Sequence, residues 1–263
     1  MFHPAFAKRR DNIGLAKLGT ARRRNAGWHP GLAAPLHSEI FASGDGASGA
    51  GLALALARDG MQVARHAAKR QPLAEKEDVR MVLWVQDRAS IRRTGRPCLY
   101  GLPRDLRHRL IHVEAATVED ALFALEEGLR CRDFAFVLGE IAGNPHALSF
   151  TASRRLSLTA EKHGVPLWLV RIDAVEDLSS ARMRWRVVSA ASLPPQWNAA
   201  APGALSWRAE LFRARNYPPG EWILRDEGGR LIASQPLAAD RTGQAPDHGD
   251  LVRPAGGRSL AAV

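Results

Sequence analysis

The run Glu39-Ile-Phe-Ala-Ser-Gly-Asp-Gly-Ala-Ser-Gly-Ala-Gly-Leu-Ala-Leu54 sets a short apolar segment before a glycine-rich turn and the start of a helix. That arrangement suits phosphate chemistry. Glycines let backbone N–H groups wrap a β-phosphate, a following Lys reaches the β- and γ-oxygens, and the hydroxyl beside it holds Mg²⁺. Here Gly44, Gly46 and Gly49 keep the turn, but Ala50 stands at the Lys position and Gly51 at the Ser or Thr position. A methyl group does not replace an ammonium beside a polyphosphate, and phosphoryl transfer is catalysed mostly by electrostatics. What such a turn retains is weak anion binding at a helix N-terminus. An ordinary strand-to-helix turn is an equally good reading of the glycines alone.

A phosphate site also needs an acid to support the metal, and the acid should end a strand. Phe134-Ala-Phe-Val-Leu138 is such a strand, but it runs into Gly139, with Glu140 one residue late. Because side chains alternate along a strand, a one-residue offset predicts that Glu140 faces away from the loop unless a bulge intervenes. Asp87, after the Val79 to Val85 run, is the one acid placed like a water-activating carboxylate; it reads as a helix cap or a surface charge. Three losses along one site predict no ATP hydrolysis, no catalytic residue and no nucleotide cofactor. Metal chemistry is not expected either: nine histidines form no ligand pair, and Cys98 and Cys131 lack zinc or disulfide spacing. Both cysteines read as small residues near the core.

These residues need a scaffold, and the pattern around them supplies one. Glu39 to Phe41, Val79 to Val85, Leu110 to Val113, Phe134 to Leu138 and Val165 to Val170 are near-continuously apolar, as strands buried on both faces of a parallel sheet must be. Val118, Ala121, Leu122, Leu125 and Leu129 share one helical face, with Thr117 and Asp120 as a capping pair. Leu148, Ala152, Leu156 and Ala160 line a second helix, which Gly164 is placed to end. This alternation predicts an open α/β sheet with right-handed crossovers. After Arg171, Met183 to Val188, Trp207 to Phe212 and Glu221 to Leu224 alternate polar with apolar and read as half-exposed antiparallel strands. Arg182, Arg184, Arg186, Arg213 and Arg215 would lie on their exposed rows, as a solvated face or a binding surface.

The chain of 263 residues divides, on composition, into a basic arm and linker (1–34), a core (35–235) and a tail (236–263). The tail, rich in Ala, Gly, Pro, Asp and Arg without apolar periodicity, is expected to be disordered. Net charge is +10, and much of it comes from Lys8, Arg9, Arg10, Lys17, Arg22, Arg23 and Arg24 against Asp11 alone. Such an arm attracts phosphate backbones or an acidic protein surface, or serves only solubility. No secretory signal and no membrane-length apolar run is expected, which predicts a soluble, cytoplasmic protein.

The order of elements over roughly residues 36 to 233 resembles the bacterial recombinase RecA, a phosphate-loop NTPase-type fold. Leu110-Ile-His-Val-Glu-Ala-Ala-Thr-Val-Glu-Asp-Ala-Leu122 is similar to the strand and helix before its second nucleotide motif, and Ser206 to Phe212 with Pro218 to Leu224 to its late antiparallel strands. A closer resemblance is to the ImuA family, RecA-related proteins of bacterial damage-inducible mutagenesis cassettes. It is carried by His37-Ser-Glu-Ile-Phe41, Leu83-Trp-Val-Gln-Asp87, Val137-Leu-Gly-Glu140, Leu148-Ser-Phe-Thr-Ala-Ser-Arg-Arg-Leu156, Val165-Pro-Leu-Trp-Leu-Val-Arg171 and Ala181-Arg-Met-Arg-Trp-Arg-Val187. The resemblance implies an accessory role in SOS-induced translesion synthesis. The implied partners are ImuB, an inactive Y-family polymerase homologue, and a DnaE-type error-prone polymerase, with RecA a further candidate. The stretches after Glu140 and after Arg171 are short where RecA has its two mobile DNA-gripping loops, so recombinase activity and filament-style DNA binding do not carry over, and weak or indirect DNA binding is what is expected. The first reading is thus a non-catalytic scaffold. A second is a DNA-binding module or recombination regulator using the arm with Arg92, Arg93 and Arg96. The third is an ATPase with an unusual loop.

Overall fold

Apolar runs too short for helices become the strands of a single sheet in the computed structural model, which describes residues 37–68, 78–198, 200–215 and 217–236. The arm, including Arg22, Arg23 and Arg24, and the tail from residue 237 onward lie outside the described residues. In chain order the elements are β1 (His37–Ala42), α1 (Ser48–Ala68), β2 (Met81–Asp87), α2 (Arg88–Thr94), β3 (Leu110–Ala115), α3 (Val118–Arg130), β4 (Phe134–Ala142), α4 (Phe150–His163) and β5 (Leu167–Ile172). They are followed by β6 (Met183–Ser189), β7 (Ser206–Ala214), β8 (Gly220–Glu227) and β9 (Arg230–Ser234). The strand order is β3-β2-β4-β5-β1-β6-β7-β8-β9. The first six are mutually parallel, and β7 to β9 add antiparallel. The fold is therefore α/β with a mostly parallel mixed sheet and antiparallel strands on the C-terminal side. Among the described residues no helix is long and apolar enough to cross a membrane.

Each sheet face carries a core. Ile40, Leu52, Leu56, Trp168, Trp185, Leu211 and Leu224 pack on the α1 side. Leu83, Leu122, Leu125, Leu129, Val137, Leu156 and Leu169 pack under α3 and α4. Local chemistry fixes the ends of these helices. Thr117 Oγ1 accepts from the Asp120 N–H and an Asp120 carboxylate oxygen accepts from the Thr117 N–H, closing a capping box. Gly164 ends α4 at φ 75°, a left-handed conformation that glycine adopts without a steric penalty.

Four expectations need correction. β3 is the outer edge, half exposed, with Ile111 42% exposed, because only β2 pairs with it. β6 lies parallel to β1, so the antiparallel part begins one strand later than its alternation suggests. Cys98 is exposed, since Leu99–Gly101 is a short surface turn. Arg184 is buried and not on an open face. The reason is the connection from β5 back to the start of β6. Both strands run parallel on either side of β1, so residues 173–182 must cross the sheet face, and they form a strap over β1.

Beneath the strap lies a charge cluster. Glu39 is fully buried; Arg184 Nε donates to it at 2.8 Å, the Ser179 hydroxyl at 2.7 Å, and Arg171 lies 3.8 Å away. Asp177 of the strap stands 3.3 Å from Arg171 and 3.6 Å from Arg184. Both guanidiniums also sit over the Phe41 ring, at 5.5 and 5.0 Å from its centroid. The strap is tied to the β4–α4 connection by Asn144, whose side chain donates to the Val175 carbonyl (2.6 Å) and accepts from the Val175 N–H (2.7 Å). Beyond the strap the arginines on this face meet carboxylates on neighbouring strands: Arg186 with Glu210 and Arg208 with Glu221.

Candidate functional site

The glycine-rich turn leaves β1 and enters α1 as the sequence implies. At Gly49 an added Cβ would lie 2.6 Å from Val170 Cγ1 and 2.9 Å from the Ala42 Cβ, so only glycine lets the helix start this close to β1 and β5. Gly51 packs on the indole of Trp207, where a Cβ would meet ring atoms at 3.2 and 3.3 Å. The hydroxyl of a phosphate loop is thus replaced by a glycine under an aromatic ring from β7. Ala50 faces a cavity and offers it only a methyl group.

The rim of the turn is acidic. Gly44 N–H donates to Asp173 Oδ1 (2.8 Å), and Asp173 Oδ2 takes Arg93 Nη1 (2.8 Å). Asp173 holds this position at φ 50°. Asp45 adds a second carboxylate, joined to the Ser43 hydroxyl at 3.0 Å. One loop N–H is therefore already taken by a carboxylate, whose charge Arg93 offsets.

Glu140 faces the turn, and β4 carries the bulge on which that outcome is conditional, where its register with β2 shifts between Met81 and Val82. Phe136, Leu138 and Glu140 point to the α1 side of β4, whereas Gly139 points to the other, where a Cβ would meet Leu125 at 2.9 Å. The carboxyl position that faces the loop is the later one, so the site keeps an acid across β5 from the turn. Glu140 is 2% exposed; Trp84 Nε1 donates to its Oε1 at 2.7 Å and the Thr94 hydroxyl lies 3.1 Å from Oε2. Burial raises its pKa, against hydrogen bonds from Trp84, Gln86 and Thr94, and the neighbouring Asp87 charge adds to the rise.

Asp87 itself is buried and caps α2, accepting from the Ser90 N–H at 2.8 Å and from the Ser90 hydroxyl. Of its two expected roles, cap and surface charge, the structure selects the cap. The loop, Trp84, Gln86, Thr94, Glu140 and Trp207 enclose one cavity of about 350 Å³. Among the described residues no group of three or more His, Cys, Asp or Glu could hold a metal ion.

The structure does not gather the expected basic patch. Arg92 and Arg93 are exposed on α2, but Arg93 pairs with Asp173 and Arg96 with Glu114. Of these three, Arg92 has no ion pair among the described residues. Sequence reasoning missed α2 and the cavity walls. The alternation of Trp84 with Gln86 on β2 was the available signal for two of them; nothing local marks Trp207 or Asp173, which reach the site from distant elements.

Fold and site define a mixed α/β protein whose glycine-rich strand-to-helix turn faces a buried carboxyl across one intervening strand, without the Lys and hydroxyl that handle phosphate. No family model matches the chain. It is 35% identical over 154 residues, 55% of this chain, to Protein ImuA from two strains of Caulobacter vibrioides. The chain spans 59% of the length of these curated relatives.

Proposed function

We propose that the chain is a non-catalytic RecA-like scaffold of damage-inducible mutagenesis, which assembles error-prone polymerase components in the cytoplasm. Its partners on this reading are an ImuB-type inactive polymerase homologue and a DnaE-type polymerase, with RecA as a further one. The observation that carries it is the pair Ala50 and Gly51. One leaves no ammonium at the turn; the other is packed against Trp207 where the metal-holding hydroxyl would have to stand. The similarity to Protein ImuA supplies the cellular context. The placement of one strand, β5, between the turn and Glu140 supports the RecA-like reading. The strap at 173–182, locked to the β4–α4 connection by Asn144, supports the loss of filament-type DNA binding, because both connections are engaged with each other.

The test has two arms. Purified full-length chain should not turn over ATP, and turnover that falls in Glu140→Gln would overturn the non-catalytic reading. Affinity purification of the chain from DNA-damaged cells should recover polymerase components, and recovery of neither these nor RecA would overturn the scaffold. The DNA-binding reading keeps two observations in its favour, the absence of an ion pair at Arg92 among the described residues and the basic composition of residues 1–34, but Arg93 and Arg96 are neutralised by carboxylates.

A further inference from the structure

Glu140 lines the cavity beside the turn without an ion pair of its own among the described residues. Glu140 is almost wholly buried, yet no ion pair reaches it among the described residues, and no cationic group figures among the influences on its titration. Its bound partners, Trp84 and Thr94, are neutral. The two arginines that line the cavity are committed elsewhere. Arg58 pairs with Asp105 at 3.0 Å and Asp226 at 3.3 Å, and Arg96 pairs with Glu114. A buried carboxyl without a counter-charge is held protonated by its raised pKa, and a cation brought beside it reverses that preference and ionises it.

The cavity's size and walls indicate what would be bound. At about 350 Å³ it falls within the range of small-ligand sites, about 300–1,000 Å³. Its walls are mainly apolar, with Ala50, Leu54 and the indoles of Trp84 and Trp207 among them. Those surfaces suit a methylene stem, and indole faces attract a cation. An anion finds no free cation in the wall, because the guanidiniums of Arg58 and Arg96 are already held by carboxylates. A divalent metal needs several oxygen ligands, and no such cluster exists among the described residues. A guanidinium fork needs a free lone pair on both oxygens in one plane, and Trp84 and Thr94 each occupy one site on those oxygens, which makes the fork the more demanding fit. A compact ammonium needs only one remaining lone pair.

We infer that the cavity is a binding site for an alkylammonium group, its –NH₃⁺ on Glu140 and its methylene stem against Ala50, Leu54 and Trp207. The ammonium takes the place left by the absent loop lysine, but from outside the chain. Two sources share this chemistry, a free amine and a lysine side chain of a partner protein. The inference is independent of the scaffold reading, since it concerns a ligand and not the assembly of a complex.

The test is titration of the full-length chain with n-butylamine and, separately, with Nα-acetyl-lysine amide, followed by NMR at the Trp84 indole N–H, assigned through Trp84→Phe. Saturable one-to-one binding is expected, weakened at least tenfold in Glu140→Gln. Ala50→Leu, which fills the cavity from the loop while leaving the carboxyl intact, should weaken it similarly and keeps the test decisive where Glu140→Gln fails to fold. Tighter binding of the lysine derivative identifies a protein side chain as the source, and tighter binding of butylamine a free amine; either ranking supports the site. Absence of saturable binding, or binding unchanged in Ala50→Leu, overturns it. Neither outcome bears on recovery of polymerase components, so the two proposals fail separately.

Discussion

At the scale of the residue, the site differs from a phosphate loop by two small side chains, and their consequences are unequal. Ala50 leaves space, whereas Gly51 is held by contact. Restoring a hydroxyl with Gly51→Ser puts a Cβ about 3.2 Å from the buried Trp207 indole, which must shift by a few tenths of an ångström to accept it. The expected cost is roughly 1–3 kcal/mol, read as a lower midpoint in urea unfolding. The same scale contains a pH-sensitive group away from the cavity. Burial holds the His37 imidazole down to about 4, with Arg171 and Arg184 assisting and Glu39 opposing. In the unfolded chain the ring titrates at its usual 6.5, so between pH 6.5 and 4 only the unfolded state takes the proton. The stabilisation is complete above pH 6.5 and is lost as pH falls through that window, by at most about 3 kcal/mol. His37→Gln should flatten urea-unfolding stability between pH 7 and 5; an unchanged pH slope would assign the dependence to other groups.

At the scale of the element, the strap and the strands beneath it depend on one carboxylate. Glu39 of β1 joins Arg171 of β5, Arg184 of β6 and Ser179 of the strap. Such a cluster adds little stability over a well-packed apolar core, because each charge was desolvated to build it. Removing its centre is another matter: Glu39→Ala leaves two guanidiniums buried with only the half-exposed Asp177 for compensation. The expected loss is about 3–5 kcal/mol in denaturant unfolding, together with faster amide exchange across 173–182. Elements of this face were only partly legible. The capping box at Thr117 and the glycine end of α4 could be read, because caps are local chemistry. Arg184 was read as exposed, because alternation gives the face of a side chain and not what crosses over it.

At the scale of the whole molecule, charge is segregated. The excess that makes the chain +10 lies heavily in the arm, while Arg93, Arg96, Arg186 and Arg208 of the core are paired with carboxylates. Any affinity for DNA should therefore belong to the arm. Deleting residues 1–34 is expected to lower DNA affinity at low salt at least tenfold and to flatten its dependence on salt, as fewer counterions are released. Gel shifts over a salt series measure both. Binding unchanged by the deletion would place the contact on the core, with Arg92 the first residue to replace.

The amino-acid order by itself determined the parallel α/β core, the caps, the presence of a glycine-rich turn and the absence of its lysine and hydroxyl. All of these depend on local periodicity and residue type, which neighbours in sequence specify. Only the tertiary structure decided the rest. It set Gly51 under Trp207, turned Glu140 toward the turn and Gly139 away from it, buried Arg184 beneath the strap, and closed the cavity with residues from β2, β4, α2 and β7. The physical reason is strand register. A side chain's face depends on where its strand begins pairing, and that starting point is fixed by packing between elements far apart in the chain.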